Sequence, residues 1–165
     1  MSEDWSKLYD IDLLADSKAE FELLVPLARM SRVPREFVRP GNSVTAKISF
    51  AREDRRVVAR VGLGGTLTLT CQRCMKPMQW PLATQSSAVL VGTERESDEL
   101  PPGTETVHAA DRRVRLMDLI EEELLLALPL VPMHEGTEGE DATADAGHPV
   151  QRPFEQLGEL LKRRK

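Results

Sequence analysis

Thr66-Leu67-Thr68-Leu69-Thr70-Cys71-Gln72-Arg73-Cys74-Met75-Lys76-Pro77-Met78-Gln79-Trp80-Pro81-Leu82 is the stretch around which the chain organises. Its first half alternates apolar and hydroxyl side chains with period two, the pattern of a half-buried strand. Its second half carries Pro77 and Pro81, which have no N–H for a sheet ladder, so this part turns or runs along an edge. Between the halves sits Cys-x-x-Cys with Arg73 inside it, and these are the only two cysteines of the chain. Two thiols at the tip of a strand–turn–strand can bind metal, do redox work or pack.

Outward from this hairpin, the pattern is that of a mainly antiparallel sheet. Val44–Phe50 alternates cleanly after a turn at Pro40-Gly41-Asn42, and Glu53-Asp54-Arg55 reads as the next turn. Val57–Gly62 returns as a strand. Gly62, Gly64 and Gly65 are followed by neither Lys-Ser/Thr nor a helix start, which excludes a P-loop, so they read as a turn or bulge between strands. Ala83–Gly92 resumes the strand pattern. Before the sheet, Lys7–Leu13 reads as a strand. Asp16-Ser17 then reads as the N-cap of a short helix carrying Phe21, Leu24 and Leu27 on one face.

After the sheet, residues 94–103 form an acidic loop, and Thr104–His108 and Arg112–Leu116 read as short strands. The best helix is Leu116–Leu128, with Asp118 and Glu121 as a capping box and Leu116, Ile120, Leu124, Ala127 and Leu128 on its apolar face. Glu121, Glu122 and Glu123 read as a solvated face near the positive end of the helix dipole, and Pro129 stops the helix. Residues 1–134 are thus expected to form one α+β domain, a curled sheet or partial barrel with a few packing helices. Residues 135–150 are Gly-, Thr-, Ala- and acid-rich and read as a flexible linker. Residues 151–165 regain helical spacing through Phe154, Leu157, Leu160 and Leu161 and end in Lys162-Arg163-Arg164-Lys165, a basic amphipathic tail that can dock on its own domain or a partner.

Bulk properties narrow the function. At 165 residues, 41% of them hydrophobic and 30% charged, the chain can build one core. No apolar run is long enough to span a bilayer, the first residues are not signal-like, and two cysteines suit a reducing compartment, so the expectation is cytoplasmic with no membrane partner. A net charge of −5 speaks against uniform coating for nucleic acid, and no DNA partner is expected. Local basic clusters remain: Arg52, Arg55, Arg56 and Arg60; Arg112, Arg113 and Arg115; and the basic tail. Each is a solvated face or a phosphate contact.

Enzyme machinery is not evident. A thioredoxin-type pair needs a helix N-terminus behind it, and here a strand precedes the cysteines and prolines follow. Cys-x-x-Cys resembles one knuckle of a zinc ribbon, but a closed structural site needs four ligands. No cofactor is therefore expected; were zinc held, Cys71, Cys74 and His134 would hold it, with His108 and His148 behind His134 as candidates. Nucleophile elbows, His-Glu-x-x-His and Rossmann glycines are missing, and an aromatic content of 4% gives little for base stacking. From the residues, this is a binding or assembly protein, with a thiol- or metal-dependent enzyme using Cys71 and Cys74 as the alternative.

Three segments carry a family resemblance. Leu69-Thr70-Cys71-Gln72-Arg73-Cys74, then Asp118–Pro129 followed by Val131-Pro132-Met133-His134, then Arg152-Pro153-Phe154 through Lys165, together resemble the YceD family. The motif residues so matched include Cys71, Cys74, Glu121, Glu122, Pro129 and His134. The resemblance implies a ribosome-biogenesis role in the synthesis, processing or stability of large-subunit ribosomal RNA, with no catalytic residues. Partners would be precursor RNA or a ribosomal or assembly protein, contacted through Arg73, Lys76, Lys162, Arg163, Arg164 and Lys165.

Overall fold

The computed structural model describes residues 4–134. The expected linker 135–150 and basic tail 151–165, with Lys162 to Lys165, lie outside the described residues.

The core architecture is a curled five-stranded half-barrel, with a separate two-stranded pair. The strands β2 (Glu20–Pro26), β3 (Ser43–Glu53), β4 (Arg56–Thr70) and β5 (Pro77–Val91) are antiparallel neighbours. The sheet is mixed, because β6 (Thr106–His108) joins β5 in parallel. The β3–β4 hairpin closes through Asp54 and Arg55, whose φ values of 46° and 68° give the two left-handed residues that a tight hairpin turn demands. β1 (Leu8–Asp10) pairs with β7 (Arg113–Arg115). Helix α1 (Ile11–Asp16) packs on β3 and β4, and α3 (Leu116–Ala127) on β4 and β5. Ile48, Phe50, Leu67, Leu69, Ile120 and Leu124 are at most 2% exposed and anchor the core between sheet and helices. Among the described residues, no helix is long and apolar enough to cross a membrane.

Several local readings give way to tertiary structure. Phe21, Leu24 and Leu27 do not share a helix face: Glu20–Pro26 is a strand paired to β3, so Val25 is buried and Leu24 is exposed. The N-cap lies six residues before Asp16, where the Asp10 carboxylate accepts from the Asp12 and Leu13 amides at 2.9 and 3.1 Å and starts α1. Gly62, Gly64 and Gly65 form no turn; they lie inside the 15-residue β4, whose pairing with β5 runs unbroken through them. Gly65 adopts a φ of 147°, and a Cβ there would sit 3.3 Å from the Ser43 carbonyl oxygen, so the close strand crossing requires glycine. The acidic loop contains a short helix, α2 (Glu94–Asp98), capped by Thr93. α3 has no capping box, since Arg115 occupies its N-cap without a side-chain bond.

In the arginine clusters near the sheet, Arg52, Arg60 and Arg112 are paired with carboxylates. Asp12 accepts from Arg112 Nε and Nη2 at 2.5 and 2.9 Å and from Arg52 Nη2 at 3.0 Å. The Arg112 guanidinium, with help from Arg52, holds the Asp12 carboxyl down at about 2. Arg52 also bonds Asp16, Arg60 pairs with Glu53, and Arg112 lies 3.7 Å from Glu96. These ion pairs tie α1 and the β7 approach to the sheet.

Candidate functional site: the cysteine hairpin tip

The tip is the connection between β4 and β5. Cys71 N–H donates to the Lys76 carbonyl at 2.9 Å, and Met75 N–H donates to the Cys71 carbonyl at 2.9 Å, so the loop closes on itself. Met75 carries a φ of 59° at the point of reversal. Cys71 is buried at 1% exposure, while Arg73, Cys74 and Lys76 are exposed. The two cysteines are not joined in a disulfide. The two prolines are accommodated as edge positions: β6 pairs with β5 only at Val89–Val91, leaving the Pro77–Pro81 stretch with β4 as its one strand neighbour.

What fixes the tip comes from elsewhere in the chain. β3 pairs with β4 no further than Gly64, so the last residues of β4 lack a third strand beside them. Asn42 takes that strand's place. Buried at 5% exposure, its Nδ2 donates to the Thr68 and Phe37 carbonyls at 3.0 Å each, and its Oδ1 accepts from Thr68 N–H at 2.8 Å. Arg39 Nη2 adds a bond to Thr70 Oγ1. The side-chain amide thereby mimics one ladder rung and satisfies backbone groups that would otherwise be orphaned.

The far side of the tip is closed by the segment that leaves α3. Pro129 follows the helix end, Pro132 is buried, and its carbonyl accepts from Gln72 N–H at 2.9 Å, inside the Cys-x-x-Cys turn. This contact joins positions sixty residues apart in sequence, and no local pattern announces it. Two residues later, His134 arrives at the cysteines: one ligand atom each from Cys71, Cys74 and His134 lie within 4.8 Å of one another. His108 is elsewhere, paired with Val91 at the opposite end of β5 from the tip, and His148 lies outside the described residues.

The glutamates of α3 correct the expectation of a uniformly solvated face. Glu121 and Glu123 are buried at 2% and 8% exposure. Glu121 Oε1 accepts from the Arg32 backbone N–H at 3.3 Å, and Glu123 Oε2 accepts from Ser86 Oγ at 2.5 Å. Glu122 alone reaches outward, pairing with the Arg32 guanidinium at 2.8 Å. Buried carboxylates persist only where donors compensate the lost water, and here the donors clamp α3 to the 27–42 loop and to β5. Glu121, Glu122, Pro129 and Pro132 therefore belong to one framework that leads α3 to the hairpin tip.

The class so defined is an α+β protein whose curled sheet projects a paired-thiol hairpin, braced by an asparagine and by the chain leaving its principal helix. The chain belongs to the family described as large ribosomal RNA subunit accumulation protein YceD, whose model matches residues 59–161, from within β4 to the basic tail. A curated relative, the large ribosomal RNA subunit accumulation protein YceD of Haemophilus influenzae, is 29% identical over 108 residues, 64% of this chain. The match covers 62% of that relative's length, less than two thirds of it. No solved structure matches the chain significantly.

Proposed function

We propose that this protein supports the accumulation of large-subunit ribosomal RNA without catalysing a reaction, by binding precursor RNA or a protein bound to it. The observation that carries this reading is the family match, which spans the hairpin, α3 and the tail as far as residue 161 and bears a name for RNA accumulation rather than for a reaction. The binding surface is the exposed tip, with Arg73 and Lys76, together with Lys162, Arg163, Arg164 and Lys165. The ion-paired Arg52, Arg60 and Arg112 already spend their charge on carboxylates and contribute less to any phosphate contact. A cytoplasmic location follows from the same reading.

The test is titration of labelled large-subunit precursor RNA fragments at several salt concentrations. Phosphate contacts make log K fall linearly with log salt, and each lost contact lowers that slope by roughly 1. Arg73→Glu with Lys76→Glu, and separately removal of residues 162–165, should each weaken binding and flatten the slope. Salt-insensitive retention of a ribosomal protein with no RNA affinity would reassign the role to a protein adaptor. Unchanged large-subunit RNA levels in cells lacking the protein would remove the reading altogether.

A further inference from the structure

We infer that Cys71, Cys74 and His134 bind a single zinc ion. The inference rests on geometry at the tip and stands independently of the RNA-binding reading. In a tetrahedral zinc site with Zn–S of about 2.3 Å and Zn–N of about 2.0 Å, ligand atoms lie roughly 3.3–3.8 Å apart. The three ligand atoms here all fall within 4.8 Å of one another, so a contraction of at most about 1.5 Å brings them to that separation. That contraction asks for side-chain adjustment only, because the backbone on both sides is already held: Cys71 by its bond to Lys76, and the approach to His134 by the bond from Gln72 to Pro132.

The donor set selects the metal. Two thiolates with one imidazole favour zinc over the hard cations that prefer oxygen ligands. Binding displaces one proton from each thiol to solvent, and two thiolates with a neutral imidazole then balance the +2 charge of the ion. Among the described residues the site has three protein ligands, which leaves one tetrahedral position for water. The scarcity of ligands in the sequence therefore weighs against a closed four-ligand site, not against this one. The ion would bind together the hairpin tip and the chain leaving α3, reinforcing the Gln72–Pro132 contact.

The test uses the full-length chain, purified without a polyhistidine tag, with metal content measured by mass spectrometry and zinc affinity by competition with a chromophoric chelator. The expected result is one zinc per chain, and tetrahedral thiolate absorption when cobalt(II) replaces it. Cys74 is exposed, so Cys74→Ser should stay folded yet lose more than about 100-fold in affinity, beyond the roughly 10–100-fold that loss of an outer-shell partner brings. His134→Ala should also weaken zinc, and removing the ion should speed hydrogen exchange at the Gln72 amide. A folded wild-type chain that takes up no stoichiometric zinc would overturn the proposal. So would undiminished zinc affinity in either variant.

Discussion

Replacing Asn42 by alanine tests how the hairpin tip is held. The substitution deletes three hydrogen bonds, two donated by Nδ2 and one accepted by Oδ1, and leaves the Thr68 N–H and the Thr68 and Phe37 carbonyls without those partners. A typical bond contributes about 0.5–1.5 kcal/mol net, and a buried group left unsatisfied costs about 1–3 kcal/mol, so a loss near 3 kcal/mol is expected. With a urea m-value of about 1–3 kcal/mol/M, the unfolding midpoint should fall by about 1–3 M. Trp80, opposite Leu67 across the β4–β5 ladder, supplies a fluorescence probe close to the affected strand. Hydrogen exchange adds a local readout: the Thr68 amide should lose protection selectively. Asn42→Asp keeps an acceptor for Thr68 N–H but loses both donors, so it should protect Thr68 more than alanine does. A loss under about 0.5 kcal/mol, the level of an ordinary surface substitution, would refute the idea that this amide stands in for a strand.

Two further outcomes are expected. Val25→Ala should destabilise by about 2 kcal/mol and Leu24→Ala by less than about 0.5 kcal/mol in urea unfolding, because Val25 is fully buried and Leu24 is 66% exposed; the reverse order would mean that this segment is a helix. Asp12→Asn should cost about 1 kcal/mol near neutral pH, the full linkage value being reduced because the Asp12 side chain is 35% exposed. Its folded value of about 2 lies below the ordinary 3.8, so the contribution is present above pH 3.8 and disappears as pH falls through 2. Wild type and Asp12→Asn should converge in acid unfolding, and a constant gap across that window would exclude the Arg112 pairing as its source.

Legibility in the sequence followed the range of the forces involved. Alternation in Val44–Phe50 and Thr66–Thr70 announces strands because neighbouring side chains on a strand face opposite environments. The segment from Phe21 to Leu27 fits both a helical and a strand spacing, and only the ladder with β3 decides between them. Gly62, Gly64 and Gly65 look like a break until partners on both sides are known. Glu121 and Glu123 look solvated until Arg32 and Ser86 supply donors across the fold.

The residues alone determined a curled, mainly antiparallel sheet, a principal helix ended by proline, a cysteine pair at a hairpin tip and membership of a family, since these rest on local periodicity, backbone stiffness and motif spacing. Tertiary structure alone decided the strand identity of Glu20–Pro26, the substitution of Asn42 for a strand, and the meeting of Pro132 and His134 with the cysteine turn. These last depend on contacts between distant positions, whose free energy exists only once the core has brought the backbones together.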